Sequence, residues 1–206
     1  MANERQRVIV GVSGATGLVY AARALEILRS LNIETHLVVT KPAHLMRSYE
    51  SAMSRSDLEG LADVVYPISD VGAPISSGSF QTLGMLIAPC SMRSLAEIAS
   101  GVTASLLTRA ADVVLKDRRK LVLMVREAPL TLIHIRNMAT VTEAGGIIFP
   151  PVPAFYMRPT TIDELVDHTV GRALDQFGLH VDTFPRWTEE FRRKQLNGAA
   201  VEAGSK

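Results

Sequence analysis

Three glycines punctuate "VGVSGATG" (residues 10–17), with hydroxyls between them at Ser13 and Thr16. A strand that ends on such a loop and passes into a helix aims backbone N–H groups at an anion, with the helix dipole behind them. Gly11, Gly14 and Gly17 are spaced G-x-x-G-x-x-G, not the G-x-G-x-x-G of a dinucleotide fingerprint. An adenine ribose also wants an acid at the end of the second strand, but that end carries Thr40-Lys41 and Glu34 sits at the other. A mononucleotide phosphate held by backbone amides and by Ser13, Thr16 and Thr40 fits better. Lys41 leaves an NADP reading open, and a plain strand-to-helix turn remains the simplest reading of the loop alone.

A second group stands in "LKDRRKLVLMVREAPL". Lys116 closes a helix pattern, and Arg126-Glu127 leave a buried strand. Lys116 and Arg126 suit an anion, and Glu127 suits proton transfer; a salt bridge fixing the strand end is the structural alternative. A third group is Tyr156, held among prolines in "PPVPAFYMRP", and Arg172 on the last helix. Arg172 flanks the stripe Ile162, Leu165, Val166, Ala173 and Phe177, where an arginine commonly snorkels. Cys90 follows Pro89 at a strand end and reads as a buried small residue, since no histidine is placed to activate it. Histidines 36, 44, 134, 168 and 180 lack metal-ligand spacing, so no metal site is expected.

Strand and helix patterns alternate in the elements that must carry these groups. Strands are expected at 7–12, 33–40, near "ADVVYPI", at 84–90, 120–125 and 147–149. Helices are expected at 17–31, from 41 to about 49, at 91–100, 104–116, 129–145 (opened by a proline) and about 162–178. The first helix carries Leu18, Ala21, Leu25 and Leu28 on one stripe. The last opens with the capping box Thr161-x-x-Glu164 and stops at Gly178. Four prolines between 150 and 159 exclude regular structure there, and 70–79 forms a Gly/Ser/Pro loop able to line a pocket or a subunit contact.

The pattern predicts one Rossmann-like (flavodoxin-like), doubly wound α/β domain with a mainly parallel sheet. Ligands then bind beyond the carboxyl ends of the strands, where Ser13–Gly17, Thr40-Lys41, Cys90–Ser94 and Arg126-Glu127 fall. Hydroxyls and basic groups at all four places suit a phosphate and a polar ring edge.

The totals agree with a soluble domain. The chain has 206 residues, 47% hydrophobic and 21% charged, with a net charge of +1 that argues against a general nucleic-acid surface. One cysteine excludes an intrachain disulfide. The polar start "MANERQ" is unlike a signal peptide, and no apolar run approaches the roughly 20 residues of a membrane span. A cytoplasmic protein without membrane contact is expected, with a domain over 1–190 and a flexible tail over 191–206.

Taken together, "GVSGATG", "VVTKPA", "SSGSF", "PCSMRSLAEIASG", "RAADVVLK", "VREAPL", "PAFYMRP" and "LDQFGL…RW" resemble the UbiX-type flavin prenyltransferases, long described as aromatic-acid or phenolic-acid decarboxylase subunits. The resemblance runs from about residue 7 to Trp187. It implies transfer of a dimethylallyl group from dimethylallyl phosphate or pyrophosphate to N5 and C6 of reduced FMN, without a metal. It further implies a homo-oligomer, commonly a dodecamer with sites between protomers, and a UbiD-type decarboxylase as recipient of the product. By the same resemblance, Gly14, Ala15, Thr16, Thr40, Ser91, Met92, Arg93, Ser94 and Arg126 match flavin contacts. Lys116, Tyr156 and Arg172, with Arg126, match the groups that hold the donor phosphate. Glu50 matches an acid near the donor and Glu127 a catalytic carboxylate, with Thr16 as a further proton relay. Val125, Ser105, Val71 and Thr16 depart from residues common in the family, yet none removes a charged group. A non-catalytic flavin-binding subunit and a direct flavin-dependent decarboxylase are the alternatives.

Overall fold

The computed structural model describes residues 5–193. In chain order it forms β1 (Arg7–Val12), α1 (Leu18–Ser30), β2 (Glu34–Val39), α2 (Lys41–Glu50), α3 (Arg55–Glu59), β3 (Val64–Tyr66) and β4 (Gly84–Cys90). There follow α4 (Met92–Ala99), α5 (Leu106–Lys116), β5 (Lys120–Val125), α6 (Leu132–Glu143), β6 (Ile147–Ile148) and α7 (Ile162–Leu174). Among the described residues the six strands make one parallel sheet in the order β3-β2-β1-β4-β5-β6. This is the expected single-domain, Rossmann-like fold.

Burial explains the continuous apolar strands. β4 is buried at all seven positions, as a central parallel strand covered on both faces must be. Because side chains alternate, Val8, Val10 and Val12 of β1 enter one core with α1 and α7, where Leu25, Leu28, Val170 and Leu174 meet. Ile9 faces the other, with Leu95, Leu106, Leu107 and Val114 of α4 and α5. The strand order reverses between β1 and β4, so the crevice beyond their ends is the natural ligand position.

Several boundaries differ from the sequence expectation for local reasons. α6 opens not at a proline but at Thr131, whose side chain accepts from the His134 amide in a capping box. Pro129 stands ahead of it, after a cis peptide bond. The last helix ends at Leu174 and tightens into a 3₁₀ turn, Asp175–Phe177, before the left-handed Gly178. The proline-rich 150–159 segment does hold one 3₁₀ turn, Phe155–Met157, and the 70–79 loop holds another, Pro74–Ser76. The short α3, unexpected from periodicity, is set by reciprocal capping between Ser54 and Asp57. Of the expected tail over 191–206, residues 191–193 belong to a helical turn that starts at 189 and is capped by Thr188; the remainder, 194–206, lies outside the described residues.

Candidate functional site

The loops after β1, β2, β4 and β5 meet beyond the carboxyl ends of these strands. They enclose a cleft of ≈ 640 Å³ lined by Gly14, Thr40, Lys41, Pro42, Ser91, Met92, Arg93, Ser94, Ser105 and Glu127, among others. A second cleft of ≈ 460 Å³ holds Thr16, Gly17, Tyr20, Glu50, Arg126 and Pro151. The segments Gly14–Ala15–Thr16 and Arg126-Glu127 each contribute to both, so the two clefts are neighbours across the switch point.

The hydroxyls first build the walls. Ser13 is buried; its Oγ donates to the Pro89 carbonyl at 3.0 Å and accepts the Ser91 amide at 2.7 Å. It therefore stitches the β1 loop to the β4 loop and is not free to hold a phosphate, contrary to the sequence expectation. Thr40 Oγ1 caps α2 by accepting the Ala43 amide, and Ser91 Oγ caps α4 by accepting the Ser94 amide. Capping by Ser91 leaves the first-turn amides of Met92 and Arg93 without intrahelical partners, at the positive end of α4. Arg93 itself pairs with Glu97 one turn on, 2.9 Å away.

Each glycine of the first loop has a steric task. A Cβ on Gly14 would collide with the Pro42 ring, so this glycine lets the loop lie directly on α2. Gly17 has φ 113°, a left-handed cap that side chains resist. The amides it exposes at the start of α1 are taken by a carboxylate: Glu50 Oε2 accepts the N–H groups of Gly17 at 2.8 Å and Leu18 at 3.0 Å. The anion seated at that helix N-terminus is thus Glu50.

Arg126 and Glu127 diverge. The Arg126 amide is fixed to the Cys90 carbonyl at 3.1 Å, and its side chain enters the cleft of Thr16 and Glu50. Glu127 turns into the larger cleft and accepts the Ala128 amide at 3.1 Å. The pair does not close on itself as a salt bridge fixing the strand end would. Half-buried Tyr20 lies beside them, its phenol pKa raised by burial and opposed by the Arg126 charge.

The remaining expected phosphate ligands are not brought to these clefts within one chain. Lys116 ends α5 at the opposite, amino end of the strands, where Nζ meets Asp117 Oδ1 at 2.8 Å. Asp117 also meets Arg119 at 3.2 Å, and Arg119 holds the Phe80 carbonyl at 2.7 Å. Arg172 is on α7, and Tyr156 packs beside that helix at His168. Tyr156 Oη lies 3.1 Å from His168 Nε2 and its ring meets Trp187 edge-on. Arg172 makes one contact to Asp175, 3.1 Å away, while Arg186 grips both oxygens of that carboxylate at 2.9 and 2.8 Å. His168 beside Tyr156 was not singled out from sequence; its position one turn before Arg172 was the available signal.

Cys90 is fully buried, and burial pushes its thiol up to about 12. It belongs to the core, as expected. Among the described residues no cluster of three His, Cys, Asp or Glu could hold a metal ion. No described helix is long and apolar enough to cross a membrane.

The fold and its clefts define an α/β flavoprotein, and a family model described as Flavoprotein matches residues 1–174. The chain is 55% identical to flavin prenyltransferase UbiX of Neisseria meningitidis serogroup B over 182 residues, covering 88% of this chain and 96% of that one. By structure it is similar to AnUbiX (PadA1), solved in complex with FMN and dimethylallyl pyrophosphate, with a TM-score of 0.89 and 50% identity over 90% of this chain and 98% of that one. It is also similar to a dodecameric FMN-dependent UbiX-like decarboxylase from Escherichia coli O157:H7, with a TM-score of 0.86 and 47% identity over 89% of this chain and 100% of that one. The chain belongs to the UbiX family of flavin prenyltransferases.

Proposed function

We infer that this protein is a flavin prenyltransferase, joining the dimethylallyl group of dimethylallyl phosphate or pyrophosphate to reduced FMN. The observation that carries the reading is the pair of clefts at the switch point, in a fold that matches the FMN- and dimethylallyl-pyrophosphate-bound relative at a TM-score of 0.89. A cleft of ≈ 640 Å³ suits a mononucleotide, and most of the side chains that line it are polar or charged. The α4 N-terminus offers amides to the FMN phosphate, and Gly14, Ala15, Thr16, Thr40, Ser91–Ser94 and Arg126 line its path.

Reduced FMN supplies the nucleophilic N5 and C6. The protein's task is to hold the donor's leaving phosphate, exclude water and move protons. Arg126 projects where it can neutralise developing phosphate charge. Glu127 faces the flavin cleft, and Glu50 with Thr16 the neighbouring one, so either carboxylate can take a proton, with the Thr16 hydroxyl as a further relay.

Lys116, Tyr156 and Arg172 complete the phosphate site from neighbouring protomers in a homo-oligomer. Their distance from the clefts within one chain supports this, as does the dodecameric relative. The product passes to a UbiD-type decarboxylase, and the protein acts in the cytoplasm.

The test is to mix the protein with reduced FMN and either donor and read the flavin mass. Gain of one five-carbon unit is expected; bound FMN with no adduct from either donor overturns the reading. Glu127→Gln is expected to lower turnover about 10²-fold or more, the scale of general acid–base catalysis, with FMN still bound.

A further inference from the structure

The unassigned group with the most specific geometry is His168. It sits on α7 one turn before Arg172, with Nε2 3.1 Å from the Tyr156 hydroxyl. Its ring is fixed from two sides: Phe184 meets it edge-on at 5.0 Å and Tyr156 at 5.8 Å. Phe184 in turn lies against Gly171, where any Cβ would strike the ring. Trp187 meets the far side of Tyr156 edge-on at 5.2 Å. The phenol and the imidazole are therefore pinned, with their polar atoms toward each other.

We propose that His168 is a positioning residue that turns the Tyr156 hydroxyl toward the prenyl donor's phosphate. The proposal rests on the reading above, in which Tyr156 and Arg172 receive that phosphate. A phenol has one hydrogen to donate. If Tyr156 gives it to an unprotonated Nε2, the phenol offers an anion only lone pairs. If Nε2–H donates to Tyr156 Oη, the phenol hydrogen is released outward to a phosphate oxygen. The bound anion selects the second arrangement, because a charge-assisted hydrogen bond is stronger than a neutral one. Burial, and then the Arg172 charge, lower the His168 pKa, while Asp175 opposes them. Near neutral pH the ring is therefore a single-donor imidazole, and its tautomer is what the anion sets.

Steady-state kinetics with reduced FMN saturating and the donor varied test this on the intact oligomer. The variants are His168→Phe, His168→Asn, His168→Gln, Tyr156→Phe and Tyr156→Phe/His168→Phe. Phe keeps the ring without the donor, and Asn is too short to reach Oη. Both should raise the donor KM about ten-fold with kcat and FMN affinity unchanged, the scale of one lost hydrogen bond. Gln, whose amide can still donate, should restore a KM within about two-fold of wild type. In the double variant His168→Phe should add nothing to Tyr156→Phe, since the two act through one hydroxyl. A wild-type KM in the Asn and Phe variants, or an effect that adds in full to Tyr156→Phe, overturns the proposal. Should Phe prevent folding, Asn carries the comparison. A Tyr156→Phe variant with unchanged donor KM instead overturns the underlying assignment of Tyr156.

Discussion

Ser13 and Glu50 show how one residue's chemistry is redirected by its neighbours. Ser13 stands in the glycine loop where a phosphate-binding hydroxyl is expected, yet both its hydrogen-bonding roles are spent joining two strand ends. Glu50 lies 33 residues beyond Gly17 and still becomes the anion at the start of α1. Residue type pointed to Ser13 and the family resemblance to Glu50; the partners that decide their roles are long-range and invisible to spacing. Cys90 is the opposite case, since its place in an apolar run already implied burial. With its thiol raised to about 12 by burial alone, almost no thiolate exists at pH 8. Native protein should therefore resist alkylation by iodoacetamide at that pH and become labelled once unfolded. Rapid native labelling, read as a mass increase at Cys90, would contradict its packing.

At the scale of elements, strands and helices were legible where period and length agreed, as in β1, β4 and α5. What escaped was capping: Ser54 with Asp57 makes α3 from five residues, too few for a periodic signal. The glycine loop was legible as a loop and ambiguous in purpose. Its geometry answers the question with two steric demands, Gly14 against Pro42 and Gly17 in the left-handed region. Gly14→Ala should accordingly push the β1–α1 loop off α2 and open the wall of the larger cleft. We expect FMN affinity to fall by about ten-fold or more, with destabilisation of roughly 1–3 kcal/mol from the forced contact. Fluorescence titration of FMN and a denaturant melt measure the two. An alanine variant that binds FMN as wild type does would mean that Pro42 yields without cost. α6 shows another limit of pattern reading: Leu132, Ile133 and Ile135 were assigned to a helix correctly, yet all three are exposed at half or more. The single chain leaves these apolar side chains uncovered, which marks a contact surface.

For the whole molecule, the class of fold followed from alternation of strand and helix, and the crevice from the sheet rule, but the distance between groups did not. Lys116 and Glu127 are separated by β5, whose six residues span about 20 Å at roughly 3.3 Å each. No lysine side chain bridges that length, so a site using both must draw them from different copies. Subunit complementation tests this arrangement without any ligand structure. Lys116→Ala and Glu127→Gln homo-oligomers should each be nearly inactive when made alone. Co-expressed with different tags and isolated as mixed assemblies, they should regain about a quarter of wild-type turnover per site, because random assembly joins an intact Lys116 to an intact Glu127 in that fraction of sites. If each site were built within one chain, every site would carry one lesion and mixing would recover nothing. The measurement thus separates a catalytic unit that is one protomer from one that exists only between protomers, and it places Lys116 by function in the site of a neighbouring copy.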